Sequence, residues 1–142
     1  MPTRSASARW EGGIKTGRGT FAGATGLSGQ YSFSSRFESG AGSNPEELLA
    51  AAEAACFSMA LSGALERNGT PATSIDTGAK CTVERVNEAF TITRIELQVR
   101  AIVASIDAAT LQKIAVQTAE TCPVSRALKG NVDIQVQATL GS

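Results

Sequence analysis

Three observations predict an α+β fold. The N-terminal part is glycine-punctuated with short β-prone runs, a long Ala/Leu-rich helical segment opens at Asn44-Pro45-Glu46-Glu47, and two β-branched runs then precede a second helical segment and a last strand. No repeat, low-complexity tract or linker interrupts the 142 residues, so residues 1–142 read as a single domain. The expected element order is βββ-α-ββ-α-α-β.

From Ala8 to Phe37 the runs ARWEG, GRGTFAG and YSFSSRF read as a meander of small strands, with Gly12, Gly13, Gly17, Gly19, Gly23, Gly26 and Gly29 marking the turns. Ser43 or Asn44 then caps a helix whose first position is Pro45, and Glu46 and Glu47 fall in the first turn, where the helix dipole favours negative charge. That helix should run to about Asn68, where Asn68-Gly69 supplies a left-handed stop. The stretches Ala72 to Val86 and Ala89 to Val103 read as strands joined at Asn87-Glu88 in a hairpin. Asp107 caps a helix from Ala108 to about Glu120, Pro123 to Leu128 forms a short helix, and Val132 to Leu140 alternates as a last strand.

Composition narrows the function. The formal charge is +0 and the basic residues are scattered, so no basic stripe of the kind that nucleic-acid binding requires is present. Leu48 to Leu65 contains Glu53, Ser58, Ser62 and Gly63, which suits a core helix better than a membrane span. The opening MPTRSASARWEGG has no apolar run for a signal peptide, so a cytoplasmic protein is expected. Three cysteines are too few and too odd in number for a secreted disulfide framework. With no CxxC spacing and no histidine, a metal site is not expected either.

The absence of histidine also removes Ser/His and Cys/His hydrolytic chemistry, and leaves redox chemistry open to the thiols. Cys56 shares a helix face with Leu49, Ala52, Met59, Ala60 and Gly63, an apolar face of mostly small residues against which something packs closely. Cys122 precedes Pro123 and falls at the N-cap of the short helix, where backbone N–H groups and the dipole stabilise a thiolate. By contrast, Cys81 shares a strand face with Ala79 and Val83 and reads as core.

The segments NPEELLAAAEAACFSMAL, TSIDTGAKCTVERV and AETCPVSRAL, with the opening ARWEGGIKTGRGT, resemble the OsmC branch of the OsmC/Ohr family of osmotically inducible and organic-hydroperoxide-resistance proteins. The most specific part is the spaced pair, a cysteine in an AACF helix and a second in a TCPVS turn. The resemblance implies an OsmC-like fold, assembled as an intertwined homodimer whose sheets wrap two long central helices. It also implies a thiol-dependent peroxidase acting on organic hydroperoxides, with no cofactor and with an external small dithiol or lipoylated protein as reductant. By the same resemblance Cys56 is the peroxidatic cysteine, Cys122 the resolving one, Arg36 in SSRFES the cation that holds the thiolate, and Glu46 in NPEEL the carboxylate that pairs with Arg36.

Helix geometry bears on these assignments. Glu46 lies about 15 Å from Cys56 along the helix axis, so an arginine must bridge part of that gap or the carboxylate must come from a second chain. Glu47 points about half a turn away from Cys56, which favours Glu46. Arg18 is the alternative arginine. Many relatives carry His or Tyr three residues before the first cysteine, where this chain has Glu53. A carboxylate there raises a thiol pKa, so Glu53 is expected to point to solvent or to pair with a cation. Phe33, Phe37, Phe57, Met59 and Leu49 are candidate walls of an apolar substrate pocket. The rival reading is a non-catalytic redox sensor or small-ligand-binding protein on the same fold, which would be oxidised only stoichiometrically.

Overall fold

A computed structural model describes residues 1–142, which form two compact units, Met1–Leu48 and Leu49–Ser142.

In the first unit, β1 (Ala6–Glu11), β2 (Arg18–Gly23) and β3 (Ser28–Tyr31) form an antiparallel meander in that order. Two glycines expected at turns sit inside strands. Gly19 lies opposite Tyr31 and Gly29 opposite Phe21, and a Cβ on either would come within 2.5 Å or 2.4 Å of the facing ring, so the missing side chains make room for aromatic packing across the ladder. A further difference is that YSFSSRF does not continue as a strand. The chain turns into α1 (Phe33–Phe37) because Ser32 and Ser35 form a reciprocal capping box: the Ser35 N–H donates to Ser32 Oγ at 3.1 Å and the Ser32 N–H to Ser35 Oγ at 2.8 Å.

α2 (Pro45–Arg67) begins where Asn44 Oδ1 accepts the Glu47 N–H at 2.8 Å, which makes Asn44 the capping side chain, and Gly69 follows its end with φ +79°. It is long and apolar enough to cross a membrane by length and composition. Its Phe57, Leu61 and Leu65, however, are buried in the core of the second unit.

That core rests on a three-stranded sheet of order β4-β5-β6, with β4 (Ala72–Val86) antiparallel and β6 (Asp133–Leu140) parallel to β5 (Ala89–Val103). Asn87 and Glu88 both adopt positive φ (48° and 66°), giving the tight hairpin turn expected between β4 and β5. Ile95, Leu97, Val99 and Ala101 alternate along β5 onto one face, where they meet Phe57, Leu61 and Leu65 of α2 and Leu111 and Ala115 of α3 (Ala108–Thr121). The outer edge of β6 is tied to α3 by one side chain. Gln112 Nε2 donates to the Val136 carbonyl at 3.0 Å and Gln112 Oε1 accepts the Ala138 N–H at 2.8 Å, which satisfies edge groups a ladder would otherwise leave open. Asp107 caps α3 by accepting the Thr110 N–H at 2.7 Å, and α4 (Pro123–Leu128) has the expected bounds. Cys81 is only half-buried at the margin of this core, next to a β-bulge between Thr82 and Val83.

Candidate active site

In the first unit, Arg36 comes from the last turn of α1 and Glu46 from the first turn of α2. Arg36 Nε donates to both Glu46 oxygens at 3.0 and 3.2 Å, and Nη2 donates to Oε1 at 2.7 Å. Glu46 is buried and Arg36 is half-exposed with its guanidinium 5.0 Å from the Phe37 ring centroid, so the fork is held from two sides. Arg18 opens β2 and forms no ion pair.

In the second unit, α2 presents Glu53 and Cys56 one turn apart, with Phe57 directed into the core. Facing them is the junction between α3 and α4. Cys122 is both the end of one helix and the start of the next: its N–H donates to the Thr118 carbonyl at 2.9 Å, and its carbonyl accepts the Arg126 N–H at 2.9 Å. The following proline explains the break, because it pushes Cys122 to an extended ψ of 129° and is itself preset for the first helical position. The break brings Cys122 Sγ to 2.8 Å from Cys56 Sγ, with both thiols free. A disulfide needs about 2.05 Å, so little movement separates the reduced pair from the bonded one.

Two expectations are corrected here. Cys122 sits at the N-cap position but makes no capping hydrogen bond through its side chain; the amide at the start of α4, that of Val124, acts instead on Cys56 and pulls its pKa down. That pull is outweighed. Burial, followed by the hydrogen bond to Cys122, pushes the Cys56 thiol above its ordinary value, and the charges of Cys122 and Glu53 push the same way. No cation contributes. The second correction concerns Glu53, which neither reaches solvent nor pairs with a cation: it is 0% exposed and in no salt bridge. Its Oε1 accepts the hydroxyl of Ser125 and lies 3.9 Å from Cys122 Sγ, while Oε2 has no hydrogen-bond partner. The Ser125 hydroxyl compensates part of the burial, which a one-dimensional argument from thiol repulsion could not foresee.

The pocket-wall candidates divide. Phe57 belongs to the core, Phe33 and Phe37 stack on one another at 5.1 Å between centroids, and Met59 is 81% exposed. Sequence reasoning missed Ser125. Its only signal is its place three residues after Cys122, one helical turn into α4.

The chain is similar to known proteins over most of its length. A family model described as OsmC-like protein matches residues 38–137. Peroxiredoxin OsmC of Escherichia coli (strain K12) is 44% identical over 136 residues, covering 94% of this chain and 95% of that protein. Among solved structures, the organic hydroperoxide resistance protein OhrB of Bacillus subtilis superposes with a TM-score of 0.75 at 24% identity, covering 95% of this chain and 98% of its own. An organic hydroperoxide resistance protein from Elizabethkingia anophelis gives a TM-score of 0.77 at 22% identity, covering 99% of this chain and 98% of its own. These two likenesses establish a shared α+β fold.

Proposed function

The chain belongs to the OsmC-like protein family, and from that premise we propose that it is a cysteine-based peroxidase that reduces organic hydroperoxides. The observation that carries the reading is the 2.8 Å approach of Cys56 Sγ and Cys122 Sγ. The names of its relatives, a peroxiredoxin and organic hydroperoxide resistance proteins, point to the same chemistry.

Cys56 is the half-exposed member of the pair and Cys122 the buried one, so an incoming peroxide meets Cys56 first. The Cys56 thiolate attacks the terminal peroxide oxygen, the O–O bond breaks, and the alcohol leaves after taking up a proton. Cys56 is then a sulfenic acid. Cys122 attacks the Cys56 sulfur, water leaves, and a Cys56–Cys122 disulfide forms. An external dithiol, either a small molecule or a lipoylated protein, returns the disulfide to two thiols by exchange.

The thiolate needs a cation, because burial and its neighbours hold Cys56 above the ordinary thiol range. Arg36 supplies it, and the bidentate bond to Glu46 orients the guanidinium. We place this site in a homodimer in which both units of each chain act as one domain. What supports assembly is the face of α2 turned away from the core, where Ala51, Ala52, Ala55 and Met59 are exposed in the single chain. The reaction requires reduced thiols and a dithiol donor, which suits the cytoplasm.

A steady-state assay of cumene hydroperoxide against hydrogen peroxide, with dihydrolipoamide or dithiothreitol as reductant, tests the reading. Repeated turnover with preference for the organic peroxide is expected. Oxidation that stops after one equivalent in the presence of reductant would instead identify a redox sensor.

A further inference from the structure

The two-cysteine cycle leaves one buried group unused. Glu53 is 0% exposed and in no salt bridge, and its Oε2 has no partner, yet its Oε1 lies 3.9 Å from Cys122 Sγ and is held by the Ser125 hydroxyl. A buried carboxylate in such a place is costly unless something compensates it. Its hydrogen-bond partners are the Ser125 hydroxyl and the Cys122 thiol, and Cys56 lies one turn further along α2. The titratable groups it faces are Cys122 from the α3–α4 junction and Cys56 from its own helix.

Cys122 must lose a proton as its sulfur attacks, and it reaches a carboxylate oxygen, Glu53 Oε1, at 3.9 Å. It is 0% exposed, so bulk water cannot take the proton, and the chain contains no histidine that could. We infer that Glu53 is the general base of the resolving step, accepting the Cys122 proton at Oε1 as that sulfur attacks. The inference rests on the two-cysteine reading given above. The step balances within the site: the Cys122 S–H bond breaks and its proton moves to the carboxylate. The sulfur–sulfur bond forms as the Cys56 S–O bond breaks, the electron pair leaves with hydroxide, and the carboxyl returns the proton to give water. Ser125 is a positioning residue that fixes the carboxyl against Cys122. The two sulfurs are thus served by different groups, Cys56 by the Val124 amide and Cys122 by a carboxylate.

The test uses 5,5′-dithiobis(2-nitrobenzoate) with the full chain in a Cys81→Ser background, so that no peroxide chemistry is needed. The reagent reaches the half-exposed Cys56 first and releases one thionitrobenzoate; Cys122 then attacks the mixed disulfide and releases the second. With Glu53→Gln the second phase should slow by about 100-fold at neutral pH. It should then climb steeply with pH, because hydroxide in place of the carboxylate must take the Cys122 proton, whereas the unsubstituted protein depends on pH less. The first phase should become faster, since the Glu53 charge no longer opposes the Cys56 thiolate. Glu53→Asp should recover part of the second-phase rate. Ser125→Ala, which deletes only the hydroxyl holding Oε1, should slow the second phase several-fold and gives a reading independent of how Glu53→Gln folds. A second phase of unchanged rate in either variant, or one slowed without gaining the pH slope in Glu53→Gln, would overturn the assignment. A protein that releases thionitrobenzoate in two phases but consumes no hydroperoxide would contradict the peroxidase reading alone.

Discussion

Arg36 grips Glu46 with three hydrogen bonds of 2.7 to 3.2 Å, and the buried partner is the carboxylate. A bidentate fork of this kind fixes the plane of the guanidinium, and so fixes where its remaining N–H groups can point. In the proposed mechanism the Arg36 guanidinium is the cation that serves the Cys56 thiolate.

Removing the cation should therefore move the titration of Cys56 upward. The sign is set by the thiol's environment: burial and Cys122 already favour the neutral thiol, so thiolate and alkylation rate rise with pH, about tenfold per unit below the pKa. Arg36→Ala should shift this profile to higher pH and lose rate at neutrality that alkaline pH partly restores. Arg36→Lys should rescue only in part, and Glu46→Gln should slow the reaction less than Arg36→Ala because it leaves the positive charge in place. Iodoacetamide alkylation of Cys56 across pH reads all three. A profile unchanged in Arg36→Ala would direct attention to Arg18.

Loss of the same arginine should also weaken the fold. It strands a buried carboxylate that had been satisfied by charged hydrogen bonds, at a cost of about 2 kcal/mol. Urea denaturation of Arg36→Ala beside Glu46→Gln measures it, and equal midpoints for Arg36→Ala and the unsubstituted protein would contradict the pairing.

Two neighbours on α2 should respond in opposite ways. Phe57 is packed in the core, so Phe57→Ala should cost about 3 to 5 kcal/mol in chemical denaturation. Met59 is exposed in the single chain, and Met59→Glu should act on assembly instead, placing a charge in the face proposed to meet a second copy. Sedimentation velocity at micromolar concentration should show a homodimer for the unsubstituted protein and dissociation or unfolding for Met59→Glu. An active, folded monomer of the unsubstituted protein would refute the dimer.

Much of the fold was legible because local signals agreed with one another. The Asn44-Pro45-Glu46-Glu47 start of α2, the hairpin at Asn87-Glu88 and the Pro123 opening of α4 each combine a turn or cap residue with the right periodicity, and their elements formed as expected. α1 was missed because Tyr31-Ser32-Phe33 alternates like a strand, while the Ser32–Ser35 capping box that decides the matter is a two-residue signal inside a serine-rich stretch. The glycines in β2 and β3 were misread as turns because their purpose lies across the ladder, in Tyr31 and Phe21. At the site, the candidate residues could be named from the sequence motifs, but the environment of Glu53 could not. What holds it is the hydroxyl of Ser125, a residue far away in the chain that arrives only when the α3–α4 junction folds against α2.

The pairing of the two sulfurs is the centre of the account, and substituting each cysteine in turn tests it most directly. Stopped-flow and mass measurements with cumene hydroperoxide should find no peroxide consumed by Cys56→Ser and little change in Cys81→Ser. Cys122→Ser should consume about one equivalent, stop, and hold a trappable sulfenic acid at Cys56. Full turnover in Cys56→Ser, or sustained formation of an intramolecular disulfide in Cys122→Ser, would contradict it.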